Sequence, residues 1–296
     1  MQPVTRRKIT LRHLQNMKER RERIAALGVY DAPMAAIADE IGFEIFVVGN
    51  SGPMSLFGYR DSARVPPEDL FYMTQAVARV TRYALTVSTM PYMSYLASSE
   101  EGVRTAARLV SQAGADCVQC HGDRYSAPNI EAIVRAGVPV LAHLGLQSVR
   151  KVEQGGFGVQ GRTAVDAARI VEDAKRLLDA GVFAFILELV PLELARYLKD
   201  ALPVPVLSLG SGPEADGIYQ VSADVVGYSV FRRPKTAAQF VDGRALANQA
   251  VRTFIDQVRE GMYPQASPDA QMPDAERKKF GALIAGSEPA IARAST

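Results

Sequence analysis

The chain has 296 residues, 48% of them apolar, which suits one large core of α/β-barrel size. A net charge of +2 excludes a general nucleic-acid or anionic-membrane binder, and no apolar run approaches the roughly 18 residues that span a bilayer. Two cysteines exclude a disulfide framework and fit a reducing cytoplasm, and the basic Arg6-Arg7-Lys8 start has no apolar signal segment behind it.

Thr10 predicts a cap for a helix over roughly 11–24, with Leu11, Leu14 and Met17 at helical spacing and His13 at the surface. Apolar runs suited to buried strands then recur at 26–30, 44–48, 84–88, 116–120, 138–142, 183–187, 204–209 and 224–228. Helical patterns fill the gaps near 33–41, 67–82, 99–113, 128–136, 163–180, 191–201 and 236–260. Gly114, Gly137 and Gly181 each stop a helix just before the next apolar run. Strands alternating with helices predict a parallel sheet, and eight of them close a (β/α)8 TIM barrel; a doubly wound open sheet is the competing architecture. No compositional break marks a second domain, so the barrel is expected over 1–262. Residues 263–296, with Pro264, Pro268 and Pro273, are expected to be an extended or partly disordered tail.

Cys117-x-x-Cys120-His121 matches a haem-attachment pattern and half of a redox or zinc pattern. The run is short and apolar, bounded by Gly114 and Gly122, and reads as a strand. Alternation then puts Cys117, Gln119 and His121 on one face and Cys120 on the other. Two thiols on opposite faces do not clasp one metal or one haem. Gly156-Phe157-Gly158-Val159-Gln160-Gly161 fits G-x-G-x-x-G but follows no strand, which argues against a dinucleotide site. The surrounding 144–162 segment reads as a long glycine-rich loop able to close over a ligand.

In such a barrel the site lies where strands end. The residues there are Tyr30, Asn50, Ser51, Thr89, Gln119, His121, His143, Glu188 and the Gly210-Ser211-Gly212 turn. Glu188, set in apolar sequence, suits a general base. The glycine turn offers backbone N–H groups to a carboxylate or phosphate.

Several stretches then resemble ketopantoate hydroxymethyltransferase: Val47-Val48-Gly49-Asn50-Ser51, Met90-Pro91-Tyr92-Met93-Ser94-Tyr95, His143-Leu144-Gly145-Leu146, Val159-Gln160-Gly161-Arg162-Thr163, Leu187-Glu188-Leu189-Val190-Pro191 and Gly210-Ser211-Gly212-Pro213. They run in order from about residue 8 to 265. The resemblance implies a barrel of the phosphoenolpyruvate-mutase and isocitrate-lyase type. It implies transfer of a hydroxymethyl group from methylenetetrahydrofolate to 3-methyl-2-oxobutanoate in pantothenate biosynthesis. It also implies a magnesium ion on the 2-oxo acid, a glutamate base matching Glu188, and a homo-oligomer, often a decamer.

The departures from the family pattern cluster. Where it has two metal-binding aspartates, this chain has Asn50 and Thr89. Where it has a Lys-x-Glu pair, this chain has Gln119 and His121. Magnesium prefers hard anionic oxygens, so no tight magnesium and no tightly bound cofactor is expected here. The expected site therefore has Glu188, His143 and His121 as catalytic groups. Tyr30, Asn50, Ser51, Thr89, Gln119 and Ser211 are expected substrate contacts, and none is expected to be a metal ligand. The expected activity is metal-independent enolate or aldol chemistry on an altered 2-oxo acid or related carbonyl compound. Unchanged hydroxymethyl transfer and a non-catalytic metabolite-binding barrel are the alternatives. Zinc on His121 and Cys117 is a further reading, short of ligands.

Overall fold

The short β-branched and apolar runs form eight strands: β1 (Ile24–Gly28), β2 (Ile45–Val48), β3 (Leu85–Thr89), β4 (Cys117–His121), β5 (Val140–Gly145), β6 (Ala184–Glu188), β7 (Val206–Leu209) and β8 (Gly217–Val221). All pair in parallel in chain order, and β8 closes onto β1, so the sheet is a barrel. This is a computed structural model, and it describes residues 6–231, 233–265 and 271–285.

Helices connect the strands: α1 (Leu11–Glu19) leads in, followed by α2 (Ala32–Ile41), α3 (Ser51–Phe57), α4 (Pro67–Ala78), α5 (Ser99–Ser111), α6 (Ala127–Arg135), α7 (Ala164–Asp179), α8 (Leu192–Ala201) and α9 (Ser222–Val226). The sequence misplaces the eighth strand. Residues 224–226 of that run are helical instead, the end of α9, which Gly227 caps in the left-handed conformation. The true β8 is Gly-Ile-Tyr-Gln-Val just before it.

Strand alternation builds two core layers. Ala26, Val47, Val87, Cys117, Leu141, Ile186, Leu207 and Tyr219 belong to the layer within the barrel. Val118, Cys120, Ala142, Phe185 and Leu187 pack outward against Ile130, Ile133, Leu177 and Leu198 of the helices. The two cysteines thus lie on opposite faces, as alternation requires. Burial pushes both thiols well above the ordinary cysteine range, which leaves them inert as thiolate nucleophiles.

The far end of the barrel from the strand termini is closed by α1. Leu14 is fully buried in the inner layer, and Thr10 caps the helix in a reciprocal box with His13. Lys18 Nζ lies 2.7 Å from Asp216 Oδ2, and that oxygen also accepts the Val206 N–H at 2.9 Å. Lys8 Nζ lies 2.6 Å from Asp116 Oδ2 in the same way.

Asp39 at the end of α2 is the most heavily committed carboxylate of this kind. It is buried and accepts the backbone N–H groups of Arg82, Tyr83 and Ala84, which lead into β3. Asp39→Ala strands three donors, so a loss of about 3 kcal/mol is expected. Urea titration of the two proteins checks it, and a loss under about 1 kcal/mol would show that water replaces the carboxylate.

By its internal contacts the chain divides into Met1–Gly243, which contains the barrel, and Arg244–Thr296. The second unit takes up most of α10 (Gly243–Arg259) and contains α11 (Asp274–Ile284). Within 263–296 the sequence predicts no regular element, yet α11 forms there after Pro273. Its Arg277 and Lys279 pair with Asp274 and Glu276 at helical spacing. Pro268 lies outside the described residues. Among the described residues, no helix is long and apolar enough to cross a membrane.

Candidate active site

Four side chains from four consecutive strands form one hydrogen-bonded row at the end where the strands terminate. Thr89 Oγ1 donates to Gln119 Oε1 at 2.6 Å. Gln119 Nε2 lies 2.6 Å from His143 Nδ1. His143 Nε2 lies 2.8 Å from Glu188 Oε2. The barrel register explains the row: Thr89 pairs with Gln119, His121 with His143, and Gly145 with Glu188. Paired residues of parallel strands project to the same side, so these groups meet inside the barrel.

The same pairing stacks the two imidazoles, with centroids 4.3 Å apart and planes 18° from parallel. His121 is buried, and its Nδ1 has no hydrogen-bond partner among the described residues. Burial first, then His143 and Arg150, hold its pKa well below the ordinary histidine value. An unfolded His121 therefore takes up a proton near pH 6.5 while the folded one stays neutral. The unfolded state then binds more protons, so stability present above pH 6.5 is lost as pH falls. His121→Gln should make that loss shallower, which denaturant titrations at pH 7.5 and about 5.5 would show. An equal loss in both proteins would remove His121 from the cause.

A second cluster adjoins the row. Tyr30 Oη and Ser51 Oγ are 2.5 Å apart. The Tyr219 hydroxyl on β8 stands beside both, and the nearby Glu188 carboxylate helps keep it protonated. Burial raises both phenols, so they stay protonated and able to donate. Glycine at position 28 makes the room: a Cβ there would lie 2.6 Å from Tyr30 Oη and 3.1 Å from Tyr219 Oη. A Cβ on Gly49 would lie 3.5 to 3.8 Å from Thr89 Oγ1, Tyr219 Oη and Ser51 Oγ, so three hydroxyls converge over that backbone position. Asn50 beside it is buried and makes no side-chain cap bond to α3.

The backbone holding Glu188 is strained and pinned. Leu189 has φ +45°, a left-handed conformation that costs a leucine about 1 to 2 kcal/mol. Its N–H donates to Leu209 O at 3.0 Å, and its carbonyl accepts Gln160 N–H at 2.8 Å. The next N–H, on Val190, donates to Ser211 Oγ at 3.0 Å, and that hydroxyl donates to Leu187 O at 2.8 Å. Ser211 thus grips the β6 terminus on both sides of Glu188; the sequence suggests an anion contact instead. Gly145, at φ +88°, lets β5 approach: a Cβ there would stand 2.2 Å from Glu188 O.

The glycine-rich loop lies across these strand ends. Gln147 Nε2 donates to Gly122 O, Gln154 Nε2 to Gly145 O, and Arg150 pairs with Asp123 and Glu153. A separate groove of about 690 Å³ between α7 and α8 contains none of the site side chains. The structure thus brings Thr89, Gln119, His121, His143 and Glu188 into one group and Tyr30 and Ser51 into its neighbour. Tyr219 is the member that the sequence does not disclose.

The family model of ketopantoate hydroxymethyltransferase matches residues 8–266. The chain belongs to that family. It is 40% identical over 259 residues to a 3-methyl-2-oxobutanoate hydroxymethyltransferase of Moorella thermoacetica, covering 88% of this chain and 96% of that one. A protein of the same name from Pyrobaculum neutrophilum is 43% identical over 235 residues, covering 79% and 89%. Among solved structures, a phosphonopyruvate hydrolase with oxalate and Mg²⁺ superposes with TM-score 0.59 at 11% identity, covering 94% and 99%. A 2,3-dimethylmalate lyase of the phosphoenolpyruvate-mutase and isocitrate-lyase superfamily gives 0.56 at 17%, covering 93% and 98%. At those identities the structural likeness speaks for the barrel.

Proposed function

We propose that this family member carries out enolate or aldol-type carbon–carbon chemistry on a small 2-oxo acid without a divalent cation, and that its substrate differs from 3-methyl-2-oxobutanoate. The observation that carries the reading is the setting of Glu188. Its carboxylate is held by His143 Nε2 at 2.8 Å on a pinned backbone, among hydroxyl, amide and imidazole groups. A carboxylate so placed removes a proton from carbon next to a carbonyl. The resulting enolate oxygen needs hydrogen-bond donors, and preorganised donors of this kind supply a few kcal/mol each. Tyr219, Tyr30, Ser51 and Asn50 are suited to that work. His121 Nδ1, buried and without a partner among the described residues, is the atom that a bound ligand satisfies. Methylenetetrahydrofolate, or another one-carbon electrophile, would receive the enolate carbon.

A divalent cation is implied by the family, and the residues present do not fit it. Asn50, Thr89 and His121 supply neutral donors, and Thr89 Oγ1 is already bound to Gln119. Among the described residues, no three His, Cys, Asp or Glu side chains are grouped to hold a metal. Hard cations select anionic oxygen. Neutral donors stabilise an enolate less than a cation does, which is the reason for proposing an altered substrate.

The test is solvent deuterium exchange at C3 of a panel of 2-oxo acids, run with a chelator and again with magnesium. Exchange that persists in chelator supports the reading. Exchange that appears only with magnesium overturns it. The names of the 40% and 43% identical relatives favour a second reading, unchanged hydroxymethyl transfer. Turnover of 3-methyl-2-oxobutanoate with methylenetetrahydrofolate, compared with the rest of the panel, separates the two.

A further inference from the structure

The His143 ring has a different partner on each nitrogen, and those partners restrict its protons. Nε2 faces two acceptors, Glu188 Oε2 at 2.8 Å and the Leu146 carbonyl at 3.1 Å. It must therefore carry a hydrogen. Nδ1 faces only the amide end of Gln119, at 2.6 Å. With the amide nitrogen there, Nδ1 is bare and the ring is neutral. With the amide oxygen there, Nδ1 is protonated and the ring is a cation beside Glu188.

Thr89 bears on the choice. Its hydroxyl lies 2.6 Å from Gln119 Oε1, and the nitrogen of the same amide stands 2.6 Å from His143 Nδ1. We infer that Gln119 is a positioning residue that holds His143 as its neutral Nε2–H tautomer, so that Glu188 is oriented by a neutral donor.

The consequence concerns the base. An imidazolium would pair its charge with the carboxylate and compete for its lone pairs. A neutral N–H fixes the same geometry and leaves a full carboxylate to take a substrate proton. Thr89 and Gln119 then act through His143 on Glu188, a role distinct from contacting substrate. Only this last step rests on the function proposed above; the tautomer stands on the geometry alone.

The experiment is long-range ¹⁵N–¹H correlation on the full chain with labelled histidine. The chain has three histidines, and spectra of His13→Gln and His143→Gln assign them. The expected result is a neutral His143 protonated at Nε2. Protonation at Nδ1, alone or together with Nε2, overturns the inference. Gln119→Glu keeps the shape but offers only acceptors, so a proton should appear on Nδ1. An unchanged neutral Nε2–H form in that variant means that Gln119 does not set the tautomer. A merely structural role would not move those signals. With a 2-oxo acid that exchanges, Gln119→Glu should lower the exchange rate constant about tenfold to a hundredfold and change KM less than threefold. An undiminished rate also overturns the positioning role. If the native chain exchanges no 2-oxo acid, the proposed function fails, and the nitrogen spectra still decide the tautomer.

Discussion

Glu188→Gln is expected to lower C3 deuterium exchange about a thousandfold, equivalent to roughly 4 kcal/mol of transition-state stabilisation, while ligand binding changes little. The substitution exchanges one carboxylate oxygen for an amide nitrogen and keeps the length and the oxygen that accepts from His143 Nε2, 2.8 Å away. The backbone grip from Ser211, Leu209 and Gln160 does not involve the side chain, so the fold should survive. The loss is therefore specific to the proton-accepting electron pair. Deuterium incorporation followed by proton NMR gives the rate, and calorimetric titration with the same 2-oxo acid gives the affinity. If more than about a tenth of the exchange remains, the base lies elsewhere. If binding vanishes together with exchange, Glu188 contributes to affinity and the catalytic assignment loses its support.

The barrel was legible because its strands are apolar runs separated by glycine-stopped helices, and seven runs fell where strands form. The eighth failed for a local reason. Asp224-Val225-Val226-Gly227-Tyr228 has strand-like composition, but Gly227 serves as a left-handed helix stop. The real strand, Gly217-Ile218-Tyr219-Gln220-Val221, follows a loop rather than a helix and so breaks the rhythm that marks the others. That one displacement hid Tyr219, whose hydroxyl stands with those of Tyr30 and Ser51. The β-branched and aromatic character of the run was the signal available.

The candidate site was legible as a list and not as a network. Barrel architecture alone places Thr89, Gln119, His143 and Glu188 at one end. Which of them bond to which depends on register, and a parallel barrel sets register by closure across residues far apart in sequence. The stack of His121 on His143 follows from their pairing across β4 and β5. Ser211 shows the converse. Its glycine-flanked turn suggested an anion cradle, yet its hydroxyl accepts and donates within the β6 terminus. Neither role leaves a mark in local composition.

The second large effect concerns the metal. Asn50→Asp, Thr89→Asp and His121→Glu together return carboxylates to the three positions where the family pattern has them. The triple variant is expected to bind magnesium on the order of a hundredfold more tightly than the native chain, about 2.7 kcal/mol. Without the cation the change is costly. Three acids replace neutral groups in a buried cluster around Glu188, and Gln119 loses the Thr89 hydroxyl that donates to it. The variant should therefore melt below the native chain in chelator. Magnesium at a hundred times its dissociation constant should return about 2.7 kcal/mol of that stability, because only the folded state gathers the ligands. The native chain has no such carboxylates to relieve, so its melting temperature should be the same in chelator and in magnesium. Differential scanning calorimetry of both proteins across a magnesium series measures this directly. A magnesium-dependent rise in the native chain would show that neutral donors suffice for the ion and would end the metal-free reading. A variant that folds but ignores magnesium would show that the strand ends no longer hold the geometry that a hard cation requires.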